Sequence, residues 1–185
     1  MDLQLSGKHV LITGASMGIG AHLAKTFAAE NAHLHLTARS TEKLAALKAQ
    51  ITANHPVEVT LYASDLARPG ACEALSEAVG SVDILVNNAG GSTGFAPIHE
   101  LSEAAWQEAS AWILDSCFWA TRRVLPDMLQ RQWGRIINVS SVEGSQASKK
   151  NVSHYITFKH AMNGFTKAAA FEYGDQGITV KAISP

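Results

Sequence analysis

Two cysteines in 185 residues, Cys72 and Cys117, are too few and too far apart for a disulfide framework. They form no C-x-x-C pair, so a structural zinc site is not expected and a reducing cytoplasm is. No uninterrupted apolar run approaches the ~20 residues that span a bilayer, so no membrane association is expected. Met1-Asp-Leu-Gln4 has neither the basic start nor the apolar core of a secretion signal. Charge of neither sign dominates: 15 basic against 16 acidic side chains give a net charge of -1. A non-specific nucleic-acid binder needs a basic field that this chain lacks. With 17% charged residues against 46% hydrophobic ones, the composition also excludes a disordered polyampholyte. The eight histidines are scattered without ligand spacing; His33 and His35 alternate along one strand and share a face, and no metal site is expected.

What the chain has instead is an apolar periodicity that switches repeatedly. Residues 8–13 form a continuous run that reads as a buried strand, cut off by a glycine cluster. Behind it Ile19, Leu23 and Phe27 recur every four residues, with Ala24 and Ala28 beside them, as on one helix face. Residues 33–38 form a second strand. Ser40 then offers an N-cap with Glu42 in the first turn, and Leu44, Leu47 and Ile51 make the next apolar stripe. The same reading places strands at 57–62, 83–87, 135–140 and 179–183. Helices fall between them, at 69–79 and at about 102–130 and 154–173. Alternating strands and helices imply right-handed crossovers and a parallel sheet covered on both faces. The expected fold is one α/β domain over residues 1–185, doubly wound and Rossmann-like, with strand order 3-2-1-4-5-6.

Between the first strand and its helix lies Thr13-Gly-Ala-Ser-Met-Gly-Ile-Gly20. Glycines allow positive φ and close backbone approach, and a helix start offers unpaired N–H groups to a phosphate. The spacing G-x-x-x-G-x-G differs from the G-x-G-x-x-G dinucleotide fingerprint, so spacing alone leaves plain turn chemistry open. Three further motifs follow: Asn87-Asn-Ala-Gly90 at the end of strand four, Ser140-Ser-Val-Glu-Gly144 at the end of strand five, and Tyr155-Ile-Thr-Phe-Lys159 opening the late helix. In this order, from about residue 6 to Pro185, the four motifs resemble those of the classical short-chain dehydrogenases/reductases.

The resemblance implies a nicotinamide cofactor. Gly14, Ser16, Met17, Gly18, Ile19 and Gly20 match positions wrapping its pyrophosphate and adenosine ribose. Asp65, followed by Leu66, matches the acid that bonds the adenine amine, although in isolation it reads as a helix cap. Asn88, Ala89 and Gly90 match the segment beneath the adenine and its ribose, and Pro185 falls at a further cofactor contact. At the end of strand two, Ala38 stands where an acid would favour NAD, and Arg39 follows it. A guanidinium pairs with phosphate through two parallel bonds, so NADP(H) is expected in preference to NAD(H). Met17 stands where many NADP-using relatives carry a second basic residue.

Tyr155 and Lys159, at i and i+4, share one helix face. A cation about 5 Å from a phenol contributes about 3 kcal/mol toward its ionised form at an effective dielectric of ~20, which makes a proton shuttle of it. By resemblance Tyr155 transfers the proton, Ser141 orients the substrate oxygen, and Lys159 binds the nicotinamide ribose; Ser140 serves the strand end. The implied reaction moves a hydride between nicotinamide and a ketone or secondary alcohol. The alternative is a catalytically impaired NADP(H)-binding protein.

Two departures bear on that choice. Where the family has an asparagine that fixes a relay water, this chain has Ile113; Ser110 and Ser116, one turn away on either side, are the substitutes within reach. The family also continues past the position of Pro185 with a substrate-covering helix and a seventh strand, so the chain is expected to be either part of a longer protein or a truncated one. Lys181 replaces an asparagine common in the preceding strand, and the gap from Ser141 to Tyr155 is slightly long for the family. Glu143 is expected either to face a cationic or hydroxyl-rich substrate or to be solvated in its loop. Finally, the long helix is apolar around much of its circumference: Trp112 and Trp119, then Leu114, Phe118 and Leu125, with Ile113, Cys117 and Val124 between. One apolar stripe is enough to pack on a sheet, so a two-fold subunit contact through this helix and the Tyr155 helix is expected, and the resemblance likewise implies a homodimer or homotetramer.

Overall fold

The computed structural model describes residues 3–185. Apolar runs at the middle of the sheet form short strands buried on both faces: β1 (His9–Thr13), β2 (His33–Ala38), β4 (Ile84–Asn87) and β5 (Gly134–Val139). β3 (Val59–Ala63) and β6 (Ile178–Ile183) form the edges, and all six pair in parallel in the order β3-β2-β1-β4-β5-β6. The third strand starts two residues later than the apolar pattern predicts, because Val57 is taken into the turn that follows the second helix.

Helices cover both faces. α1 (Gly18–Ala29) and α2 (Thr41–Thr52) bury Ala24, Ala28, Leu44, Leu47 and Ile51 against Val10, Ile12, Leu34 and Leu36. Ser40 caps α2 by accepting a bond from the Lys43 N–H at 3.3 Å, as its sequence position suggests. On the other face α3 (Ala71–Val79), α5 (Ser116–Arg131) and α6 (Ser153–Tyr173) pack Leu75, Val124, Met128 and Ala169 on Leu11, Leu85 and Ile136. α4 (Glu103–Ala109) leads into α5 through a π-helical segment, Ser110–Asp115, so the single long helix read from the sequence is in three parts. That segment carries Trp112 and Ile113. No helix among the described residues is long and apolar enough to cross a membrane.

Strand order reverses between β1 and β4. Crossovers leave β1 in one direction and return on the other side, opening a crevice at the C-terminal strand ends. Elsewhere on the sheet, the rings of His33 and His35 both lie against His9, and burial together with these neighbours pushes the His35 imidazole down to about 4. Among the described residues no group of three or more His, Cys, Asp or Glu is placed to hold a metal.

Leu36 is fully buried and pairs with Ile12 and Leu61. Leu36→Ala should cost about 3 kcal/mol and lower Tm by roughly 6–12 °C, as read from urea and thermal melts.

Candidate active site

The crevice begins where β1 ends. Gly14 and Gly18 hold φ of +64° and +55°, which side chains other than glycine rarely adopt. A Cβ on Gly14 would lie 2.9 Å from Ala89 Cα, and one on Gly20 would lie 2.6 Å from Asn88 Nδ2, so close approach of the β4 exit demands glycine at both places. Asn88 explains that approach: its amide donates to the carbonyls of Thr13 and Gly14 at 2.9 and 3.0 Å. The Thr13 hydroxyl accepts from the N–H groups of Asn88 and Ala89 at 3.0 and 2.9 Å. α1 then starts with no side-chain cap and no acid in its first turn, leaving its N–H groups and positive dipole open to an anion.

These segments open on a cavity of about 480 Å³. Its walls take in Gly14, Ser16, Met17 and Ile19 from the glycine loop, Arg39 after β2, and Asp65 and Leu66 after β3. Asn88, Ala89 and Gly90 follow from the β4 exit, and Tyr155 and Lys159 from α6. Gly18, Gly20, Ser141 and Pro185 lie outside the lining; the first two shape the backbone behind it. The Asp65 carboxylate accepts from the Ala67 N–H at 3.3 Å and faces Arg68 Nε at 3.9 Å.

At one end, Lys159 is buried, its ammonium donating to the Val139 carbonyl at 2.7 Å and standing 5.7 Å from the centre of the Tyr155 ring. Burial lowers the Lys159 amine to about 8. Ser140 lines the cavity and donates to the Lys159 carbonyl at 3.5 Å, whereas the Ser141 oxygen caps a short turn by accepting from the Glu143 N–H at 3.3 Å. The Val142 N–H donates to the Pro185 carbonyl at 3.2 Å, which ties the end of the chain to this turn. Glu143 is not solvated: it is buried, and the N–H and hydroxyl of Ser148 bind its carboxylate and hold it below the usual carboxylate range. It braces the loop ahead of α6.

Ile113 is fully buried among Phe158, Met162 and Cys117. A Cβ built on Gly90 would touch both Ile113 Cγ1, at 3.7 Å, and Lys159 Nζ, at 3.5 Å, so Gly90 lies against both an apolar side chain and the ammonium. The two serines near Ile113 are engaged elsewhere: Ser116 donates to the Trp112 carbonyl at 2.7 Å, and Ser110 reaches Asp115 at 3.4 Å. Both cysteines are buried thiols pushed up by desolvation, Cys72 to about 11 and Cys117 to about 12.

Of the cavity residues absent from the sequence reading of the site, Lys43, Trp112 and Thr37 bear on its chemistry. Lys43 lies beside Arg39, and the signal for it was the Ser40 cap, which places the third residue of α2 at the helix mouth. Trp112 was assigned to a subunit contact, but it faces the cavity, with its ring 4.7 Å from Arg39 Cζ. The π-helical segment changes the register, so an α-helical projection of residues 102–130 misplaces it. Thr37 Oγ1 is buried in the cavity wall without a hydrogen-bond partner. An unpaired polar atom, two cations, an uncapped helix start and glycine-only close approaches together fit a phosphate-bearing dinucleotide.

The short-chain dehydrogenase family model matches residues 8–185. The chain belongs to that family. This short-chain dehydrogenase is an oxidoreductase. It is 38% identical to the D-beta-hydroxybutyrate dehydrogenase of Cupriavidus necator, over 98% of this chain and 70% of the relative. To the 3-oxoacyl-[acyl-carrier-protein] reductase of Aquifex aeolicus it is 33% identical, over 100% and 75%. Among solved structures it superposes on L-sorbose reductase from Gluconobacter frateurii, complexed with NADPH and L-sorbose, with a TM-score of 0.95 and 34% identity, covering 100% of this chain and 71% of that one. A metagenomic short-chain oxidoreductase in complex with NADP gives 0.91 at 34% identity, covering 98% and 83%.

Because the folded Lys159 amine titrates near 8 rather than at its ordinary 10.5, the unfolded chain binds more protons in that window. Its burial therefore costs stability in full below pH 8, and the cost is relieved as pH rises toward 10.5. Lys159→Met should gain on the order of 2 kcal/mol at pH 7 after loss of the Val139 bond. That gain should vanish between about pH 8 and 10.5 when urea midpoints are compared.

Proposed function

We propose that this chain is an NADP(H)-dependent oxidoreductase that interconverts a ketone and a secondary alcohol. The observation that carries the reading is one cavity with the Tyr155–Lys159 pair at one end and two cations, Arg39 and Lys43, at the other. When bound, the nicotinamide supplies or accepts the hydride at the carbonyl carbon. Tyr155 passes the proton to and from the substrate oxygen through its hydroxyl. Lys159 is held against the Val139 carbonyl, from which it adds positive field to the phenol and offers donors to the nicotinamide ribose. Ser141 has its oxygen occupied by the Glu143 N–H and keeps its O–H as a donor to the substrate oxygen.

At the far end, the open start of α1 and Ser16 take the pyrophosphate, and Asp65 the adenine edge. Arg39 and Lys43 provide the charge that a ribose 2′-phosphate requires, and no acid stands at Ala38 to repel it. The bound NADP and NADPH in two similar structures support this assignment. Phe118 and Trp119 on α5 are 40% and 42% exposed and Phe171 on α6 is 92% exposed, which supports a homo-oligomer joined through these helices. Ile113, apolar and fully buried where the family has an asparagine, favours a second reading, a protein that binds NADP(H) and turns over slowly.

Tyr155→Phe should bind NADPH as the wild type does and lose at least a thousandfold in NADPH oxidation across a ketone panel. Tight NADPH binding by a wild type that turns over no ketone would establish the second reading. Arg39→Asp should weaken NADPH by about 10- to 100-fold in calorimetry while leaving NADH equal or tighter; an unchanged ratio would remove the NADP(H) assignment.

A further inference from the structure

For the chemistry proposed above, Ser141 and Tyr155 have to reach one substrate oxygen from different elements. Ser141 lies just past the end of β5, and Tyr155 stands in the first turn of α6. Glu143 is bonded toward both. Its backbone N–H donates to the Ser141 oxygen at 3.3 Å, and its carboxylate grips Ser148 in the loop that leads into α6. We propose that Glu143 is a positioning residue, which fixes the Ser141 hydroxyl and the entry into the Tyr155 helix as one unit. This rests on the oxidoreductase reading above.

After Ser141 the chain turns through Val142–Gly144. Two other ties hold that turn: the Val142 N–H donates to the Pro185 carbonyl at 3.2 Å, and the Asn163 amide donates to the Gly144 carbonyl at 2.8 Å. A Cβ on Gly144 would lie 3.0 Å from the Lys159 carbonyl oxygen, so the turn rests directly on α6 at that point. These ties flank Glu143, and neither involves residues 145–152, which connect the turn to α6. The Glu143 carboxylate spans that connection, accepting from the Ser148 N–H at 3.0 Å and from its hydroxyl.

A carboxylate suits this task. It accepts on both oxygens at once and has no donor to misplace, and its charge-assisted bonds are roughly twice as strong as neutral ones. Glu143 is 2% exposed, so water competes little for them. A serine hydroxyl has one hydrogen and two lone pairs. With one lone pair taken by the Glu143 N–H, the oxygen is oriented and its hydrogen is left for the substrate. Release of the brace lets the turn and the loop shift separately, and a misplacement of ~1 Å at a reacting group costs on the order of 10²-fold in rate. Glu143 lies outside the lining of the cofactor cavity, so NADPH binding should not feel its loss.

The test measures NADPH oxidation with the ketone that the wild type reduces fastest, NADPH affinity by calorimetry and folding by urea melts. Glu143→Ala should lower kcat about 10- to 100-fold, with the ketone KM and the NADPH Kd within about threefold of the wild type. In a Ser141→Ala background the same change should cost less than about threefold, because the group that it positions is gone. Glu143→Gln, which keeps one acceptor, should recover part of the loss. Ser148→Ala, at an exposed position, removes one bond to the carboxylate and should lower kcat about three- to tenfold, a readout independent of whether Glu143→Ala folds. Unchanged kcat in Ser148→Ala or in a folded Glu143→Ala, a loss confined to KM, or an equal loss with and without Ser141 would overturn the positioning role alone. A wild type that reduces no ketone would overturn it together with the oxidoreductase reading.

Discussion

One side-chain lock joins the two strand ends at the mouth of the crevice: Thr13 at the end of β1 and Asn88 at the exit of β4. The threonine oxygen takes two backbone N–H groups and gives its own hydrogen to the Val86 carbonyl at 3.3 Å, while the Asn88 amide returns two bonds to the glycine loop. Backbone donors and acceptors released at two strand ends are thus satisfied by the Thr13 and Asn88 side chains rather than by water. The lock sets the distance between the glycine loop and the β4 exit, and at that distance Gly14 and Gly20 have no room for a side chain. The glycine loop and the β4 exit face the cavity from this joint.

Beneath the reacting end the sheet is polar where a parallel sheet is usually aliphatic. The Asn87 amide donates to Thr121 and Asn138 at 3.0 and 2.9 Å, and the Asn138 amide donates to Thr166 at 2.9 Å. Such a chain ties β4, β5, α5 and α6 in one register, because each buried polar group that lost its partner would cost free energy. Lys159 sits on top of this network and pays for its place with a lowered proton affinity. That cost in stability has its origin in the desolvation of the cation.

Much of the fold was legible because a buried strand and an amphipathic helix each impose a period on the chain. The alternation of strands and helices, the Ser40 cap and the apolar stripe of α2 were read in this way. The cavity was legible at its glycines, at Asn88 and at the Tyr155–Lys159 pair through the resemblance of their motifs to those of the family. Trp112 was not. A projection at 3.6 residues per turn has no means of foreseeing a π-helical stretch, and six residues of wider turn carry the indole from an outer face to the cavity. Glu143 was misjudged for another reason: a carboxylate five residues from a serine becomes a loop brace only once the chain folds back on itself.

What the sequence by itself determined is whatever depends on near neighbours along the chain: strand and helix periods, glycine at left-handed turns, and a phenol and an amine one turn apart. Only the tertiary structure decided which walls meet across the cleft. It brought Arg39, just after β2, against Trp112 of the π-helical segment, placed Lys43 of α2 in the same cavity, and set Ile113 and the Lys159 ammonium both near Gly90. Those juxtapositions come from the packing of whole helices on the sheet, where non-local burial rather than local spacing selects the arrangement of lowest free energy.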